Sequence, residues 1–192
     1  MMLEELTAVT TLDLPIRAFA EHLKLGSGFA DDGSEDAVLE VCLRSAMAAI
    51  EVRIGKALMT RSFSWELTRW GADGVQVLPI APVAVVNSVT LVDRVGAETV
   101  VDAAGYTLER DSHRPKIIGS LPRIPDGGRA ILAFDAGFGN WDAVPADLRH
   151  AVLLQAAGFY ENRAGEGRVN GMPFGVSALI EAYRPIRIGG AW

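Results

Sequence analysis

The stretch SEDAVLEVCLRSAMAAIEVRIGKAL, residues 34–58, decides the fold because it predicts one long helix that is apolar on two faces. Ser34 is a suitable cap, and Glu35 places negative charge in the first turn, where the helix dipole is positive. Gly55 predicts the end of the helix, since glycine readily adopts the left-handed conformation that closes one. We therefore predict a helix over residues 35–54.

Apolar residues recur around this helix in two stripes. The first stripe consists of Val38, Val41, Cys42, Ala49 and Val52. The second consists of Leu39, Leu43, Ala46, Ile50 and Ile54. A helix that is apolar over more than half of its girth must be covered on two sides. In a chain of 192 residues the second cover can be a neighbouring subunit. We predict that the second stripe forms a subunit interface.

The hydrophobic pattern changes its period after the helix. Phe63, Trp65 and Leu67 alternate with polar residues, which indicates a half-buried strand. Further short apolar runs, separated by glycine, proline or aspartate, predict a small, mainly antiparallel sheet. These runs lie at residues 75–78, 89–91, 100, 106–108, 116–118 and 130–134. Pro79 and Pro82 confine the first run to an edge or irregular strand.

Helices are predicted on both sides of this strand region. One begins near Asp13 and stops at Gly26, another follows Pro145, and a short one covers residues 176–183. The fold class is therefore α+β, a helical bundle with a small mainly antiparallel β-sheet insertion and an extended C-terminal tail. The predicted parts are N-terminal helices (1–58), a β-rich subdomain (59–143), C-terminal helices that complete the helical core (144–183) and the tail (184–192).

Composition and charge exclude several classes of protein. With 49% hydrophobic and 22% charged residues, the chain can bury an ordinary core. Its net charge of −6 argues against a protein that grips nucleic acid, which needs a basic face. The N-terminus lacks the pattern of a secretory signal, and no apolar run of about 18 residues could cross a membrane. The single cysteine, Cys42, excludes an internal disulfide.

The sequence contains no recognisable catalytic, metal or cofactor motif. His22, His113 and His150 have no ligand partners at the spacing of a metal site. The acidic residues from Asp31 to Asp36 lack the spacing of a calcium loop and suit a helix start instead. No nucleophile elbow or phosphate-binding glycine loop is present. We predict a non-enzymatic protein without cofactors, and an uncharacterised enzyme is the alternative from a different class.

Several motifs in register resemble the head–tail connector, or adaptor, proteins of long-tailed phages. Residues 34–40, continuing to 48–58, are similar to their opening helix, a D-x-L-L run followed by A-x-x-x-x-E-x-x-x-G-R/K-x-L. The most specific part is FDAGFG, VPADLR and YENR in this order, at residues 134–139, 144–149 and 160–163. Residues 178–184, ALIEAYR, are similar to the closing motif A-L-L-x-P-Y-R. The resemblance covers about residues 12–188, nearly the whole chain.

The resemblance implies a structural subunit without catalytic activity. Such adaptors form homo-oligomeric rings, generally dodecamers, beneath the portal of the capsid, and the head-closure (stopper) or tail-terminator ring binds below. DNA passes through the lumen without specific binding, and no membrane is involved. The same family serves phages, prophages and gene transfer agents, so we expect a subunit made in the bacterial cytoplasm and placed in the particle neck. Another neck or tail-completion protein is the alternative.

The last nine residues have the features of a partner-binding segment. Pro185 prevents the preceding helix from continuing, and Ile186 and Ile188 alternate with Arg187. An extended segment of this kind can add as a strand to the edge of a partner's sheet, with Trp192 as an anchor. The resemblance implies that the partner is the portal, and the alternative is a frayed terminus. The predicted portal-binding tail is Arg184, Pro185, Ile186, Arg187, Ile188 and Trp192.

Overall fold

The structure, a computed structural model, describes residues 2–24, 33, 35–162 and 172–185. The chain divides into two compact units, which we call the strand-rich unit and the helical unit. The strand-rich unit contains Met1–Val9 and Met59–Phe138, and the helical unit contains Thr10–Leu58 and Gly139–Trp192. The chain therefore contributes two separate segments to each unit.

Four α-helices form the described part of the helical unit. They are α1 (Ile16–His22), α2 (Asp36–Ile54), α3 (Ala146–Glu161) and α4 (Phe174–Ile180). Helix α3 packs against both α2 and α4, and α1 packs against α2 and α3. Large apolar side chains fill the interior of this unit, among them Phe19, Leu39, Leu43, Ile50, Leu148 and Ile180. Burial of such side chains is the main stabilising contribution to a small helical core.

Helix α2 confirms the prediction for residues 35–54. It runs from Asp36 to Ile54, and Gly55 after it adopts φ 65° and ψ 30°, a left-handed conformation that suits glycine. The Gly55 N–H donates to the Glu51 carbonyl at 2.8 Å. The Glu51 carboxylate also accepts from the Leu58 N–H at 2.8 Å, which fixes the chain as it leaves the helix. The predicted cap, Ser34, lies outside the described residues.

The strand-rich unit contains two antiparallel sheets in its described residues. The strands are β1 (Met2–Glu5), β2 (Arg61–Leu67), β3 (Val75–Val77), β4 (Val83–Val92), β5 (Glu98–Val100), β6 (Tyr106–Glu109), β7 (Lys116–Gly119) and β8 (Arg129–Ala136). The five-stranded sheet has the order β1-β2-β8-β4-β5, and the three-stranded sheet has the order β3-β7-β6. Strand β3 is an edge strand, as the neighbouring prolines predicted.

The pair β2–β8 forms the centre of the larger sheet. Phe63, Trp65 and Leu67 are buried while the residues between them are half-exposed, so the predicted alternation is confirmed. Phe63 lies opposite Phe134 in the register, and the two rings stack with their centroids 5.8 Å apart. Such cross-strand aromatic pairs stabilise a sheet beyond the area that they bury.

Gly137, in the FDAGFG stretch, allows a close backbone approach just after β8. A Cβ atom at this position would lie 2.5 Å from the Met59 carbonyl oxygen and from the Thr60 Cα. Its φ of +136° is also a conformation that other residues rarely adopt. The glycine of this motif therefore has a structural explanation.

The α+β class is confirmed, and three details differ from the prediction. The strands form two sheets rather than one. The first nine residues belong to the strand-rich unit, although the predicted division assigned residues 1–58 to helices. Helix α1 begins at Ile16, and Thr11–Asp13 before it form a short 3-10 helix. Strand β1 escaped prediction because all four of its side chains are exposed and show no alternation.

Candidate interaction surfaces

The histidines and acidic residues do not assemble a chemical site in the described residues. His22 and His150, far apart in sequence, come together in the helical unit with ring centroids 6.4 Å apart. His113 belongs to the strand-rich unit and is exposed. Among the described residues, no group of three His, Cys, Asp or Glu side chains could hold a metal ion. Asp31 lies outside this part of the chain.

A shallow cleft of about 450 Å³ opens at the surface of the strand-rich unit. It is lined by Arg69, Trp70, Arg123 and the loop from Ile124 to Gly128. The Trp70 ring N–H donates to the Pro122 carbonyl at 2.8 Å, and Arg123 forms an exposed ion pair with Asp126. These groups offer no nucleophile with a neighbouring base, so the cleft lacks the arrangement that catalysis requires.

The two apolar stripes of α2 differ sharply in exposure. Leu39, Leu43, Ala46, Ile50 and Ile54, the predicted subunit interface, are each at most 2% exposed. Packing inside the helical unit therefore accounts for their apolar character without any partner. Their role between subunits stays a prediction. The other stripe is divided: Val38 is 40% exposed, Val41 63% and Val52 86%, whereas Ala49 is half-buried and Cys42 belongs to the core.

The exposed row on α2 continues for most of the helix. It consists of Val38, Val41, Ser45, Ala48 and Val52, all exposed and none charged. Spacings of three and four residues keep such a row on one helix face, and we call it the α2 stripe. An ion pair lies on the same helix, where Arg44 donates to Glu40 at 2.8 Å. The Arg44 bond, with one from the Thr11 hydroxyl, lowers the pKa of Glu40.

The N-terminal half of the α2 stripe forms one wall of an apolar groove of about 570 Å³. The groove is lined by Ala37, Val38, Val41, Cys42, Ser45 and, from α3, Phe159. Ser45 is the only hydroxyl-bearing side chain in this set, and no lining residue is charged. An exposed apolar groove of this kind is typical of a surface that binds another protein.

Two other apolar side chains of the helical unit are almost fully exposed. Phe174, the first residue of α4, is 89% exposed, and Leu12, in the 3-10 turn before α1, is 97% exposed. Sequence reasoning missed both, because apolar residues are expected inside unless a partner covers them. Proline at 173 is the one local signal, since it fixes the start of α4 and so the position of Phe174.

The C-terminal segment begins from an anchored point. The Tyr183 hydroxyl donates to Asp147 of α3 at 2.8 Å. Burial, together with this bond, raises the pKa of Tyr183 to about 12. Arg184 pairs with Glu181 at 2.8 Å, and Pro185 lies close to Gly55. The other predicted tail residues, Ile186, Arg187, Ile188 and Trp192, lie outside the described residues.

Comparisons with solved structures give full-length matches. A chain in the neck of an empty gene transfer agent particle, computed with C6 symmetry, is 51% identical with a TM-score of 0.91. Chains in the virion of a native gene transfer agent particle and in the neck of a native particle, computed with C12 symmetry, are 50% and 47% identical with TM-scores of 0.87 and 0.86. Each match covers 100% of this chain and 99% of the other. No protein-family model and no curated protein matches.

These similarities define the class: the chain is a structural protein of a phage-like particle and not an enzyme. More narrowly, it belongs to the family of neck proteins of gene transfer agent particles. Its location is the particle neck. None of the described helices is long and apolar enough to cross a bilayer.

Proposed function

We propose that this chain is the adaptor subunit of the neck and forms a ring of twelve copies between the portal and the head-closure or tail proteins. The observation that carries the proposal is the full-length similarity to a neck chain in a structure computed with C12 symmetry. Cyclic symmetry repeats identical chains around an axis, so each copy contacts the next through two different patches. The resemblance of the sequence motifs to adaptor proteins supports the same position in the particle.

The centre of the ring is the path for DNA. The net charge of −6 suits a wall past which DNA slides, because tight binding to many phosphates requires a strongly basic surface. The resemblance to adaptors supports this role. The ring surrounds the DNA and does not recognise its bases.

Deletion of the gene in the producing bacterium tests the neck role. We expect DNA-filled heads without tails, counted by electron microscopy, and restoration by the wild-type gene. A matched control is a gene that carries Val95→Ala, because Val95 is 82% exposed in the strand-rich unit and its methyl groups contribute little to packing. Released necks should contain a species close to twelve times the 20.5 kDa subunit mass. Tailed, gene-transferring particles from the deletion strain would refute the proposal.

The portal contact falls to the tail from Arg184 to Trp192. Tyr183 is tied to α3 through Asp147, so the anchoring helix should survive removal of everything after it. Truncation after Tyr183 should leave the far-ultraviolet circular dichroism unchanged and abolish co-sedimentation with portal. The matched control is Val95→Ala, a change at an 82% exposed side chain of the strand-rich unit outside the tail, which should leave portal binding unchanged. Full portal binding by the truncated chain would show that another surface makes the attachment.

A further inference from the structure

We propose that the apolar groove beside the α2 stripe receives Phe174 of the next copy of this chain. The proposal rests on the ring proposed above and names the two patches that one copy presents to its neighbours. The groove is lined by Val38, Val41 and Phe159, and the side chain that enters it is the first residue of the neighbour's α4.

The groove and the phenylalanine match in size and chemistry. A volume of about 570 Å³ is ample for a benzyl side chain, and the lining offers aliphatic, sulfur and aromatic surface. Val41, which lines the groove, is 63% exposed, and Phe159 contributes an aromatic ring from α3. An aromatic anchor that fills an apolar pocket is the usual centre of a protein interface.

Phe174 is placed to act as such an anchor. It is 89% exposed although it belongs to an ordered helix, and Pro173 before it holds the helix start. A large aromatic side chain left in water is unfavourable, and its burial by a partner removes that cost. The next residue, Gly175, has no side chain, and no atom lies within 4 Å of the place where its Cβ would be, so it adds no bulk beside Phe174.

The arrangement of the helices makes this contact one between copies. Helices α2 and α4 each pack on α3 but not substantially on each other. The groove on α2 and the anchor on α4 are therefore separate patches of one subunit. Two complementary patches on one chain define a head-to-tail contact, which closes into a ring when the rotation between copies is right. The occupant is thus a second copy, because the chain itself carries the matching side chain.

A disulfide between the two patches tests the contact. The variant Val41→Cys with Phe174→Cys, in a Cys42→Ala background, is produced in the particle-forming bacterium, and purified particles are oxidised. Cβ atoms must come within about 4.5 Å for the bond to form. We expect most chains to shift from the monomer band to a ladder of linked copies on a non-reducing gel, reversed by reductant.

The control pair is Val95→Cys with Phe174→Cys in the same background. Val95 is 82% exposed, belongs to the strand-rich unit and is not a lining residue of the groove, so only the monomer band should remain. A thiol reagent should also label Val41→Cys in the free subunit and lose access in the particle. Labelling that is blocked already in the free subunit would mean that the chain covers its own groove, and would overturn the proposal.

The outcomes separate this contact from the ring itself. Necks that contain the ring but give no ladder with the Val41–Phe174 pair would overturn the contact and leave the ring proposal standing. Wild-type necks that lack a ring of this chain would overturn both. A ladder from the Val95 control as strong as that from the test pair would show nonspecific linkage and would also overturn the contact.

Discussion

Two neighbouring positions on α2 provide a sharp test of which stripe belongs to the subunit core. Leu43 is fully buried, whereas Val41, two residues earlier, is 63% exposed. Replacing a fully buried leucine by alanine removes its transfer free energy and leaves a cavity, which together lower the free energy of unfolding by about 3 kcal/mol. Val41→Ala removes little buried surface and gains helix propensity, so it should be neutral or stabilising by up to about 0.7 kcal/mol.

The assay is urea denaturation of the isolated subunit, followed by the helical circular dichroism signal. With a slope of about 2 kcal/mol per M, Leu43→Ala should lower the midpoint by about 1.5 M. Val41→Ala should leave the urea midpoint nearly unchanged. It should nevertheless weaken assembly into necks, although its stability equals that of the wild type. A Leu43→Ala midpoint equal to that of the wild type would refute the assignment of the second stripe to the core. A large loss of stability in Val41→Ala would refute the assignment of the α2 stripe to the exposed surface.

Three further predictions concern single positions. Gly137→Ala should destabilise the strand-rich unit by more than about 2 kcal/mol, because the new Cβ meets the backbone of Met59 at 2.5 Å. Gly158→Ala should stabilise the helical unit by about 1 kcal/mol, because Gly158 lies within α3 and a Cβ there meets no atom within 4 Å. Thermal melts of the two variants check both signs. The pKa of Tyr183 is about 12 in the folded chain and near 10 in the unfolded chain, so the free energy of unfolding falls as pH rises through this window. Tyr183→Phe should reduce that fall, which denaturation midpoints at pH 9 and pH 11 would measure. His150→Ala should leave the yield of tailed particles unchanged, since the described residues form no group of three metal-ligating side chains around it. Tailless particles from this variant would reveal a missed site.

Elements with strong local signals were predictable from the sequence. Helix α2 has an acidic start, continuous apolar periodicity and a glycine end, and β2 has strict alternation, so both were predicted with nearly correct bounds. Strand β1 carries no such signal. Its side chains are all exposed, and the strand exists because its backbone pairs with β2 much later in the chain. Pairing between distant segments is a tertiary property that local patterns do not encode.

The candidate surfaces show the same limit. Sequence periodicity revealed two apolar stripes on α2, but which stripe faces the core depends on the helices that pack there. Side-chain size was an available signal, since four of the five residues in the buried stripe are leucine or isoleucine, whereas the other stripe carries nothing larger than valine. Large side chains fill a subunit's own interior, and smaller ones suit a surface that must also stay soluble. Phe174 had no comparable signal, because an exposed phenylalanine is recognised only once the fold is known.

The interleaving of the two units along the chain has a consequence for synthesis on the ribosome. Strand β1 emerges first, but its partner β2 follows only after the whole first half of the helical unit has been made. Strand β8, which lies between β2 and β4 in the sheet, comes later still. Neither unit can therefore finish folding before about residue 138 has left the exit tunnel, and the helical unit must wait for α3. In the nascent chain, β1 therefore has no pairing partner until Arg61–Leu67 of β2 have been made.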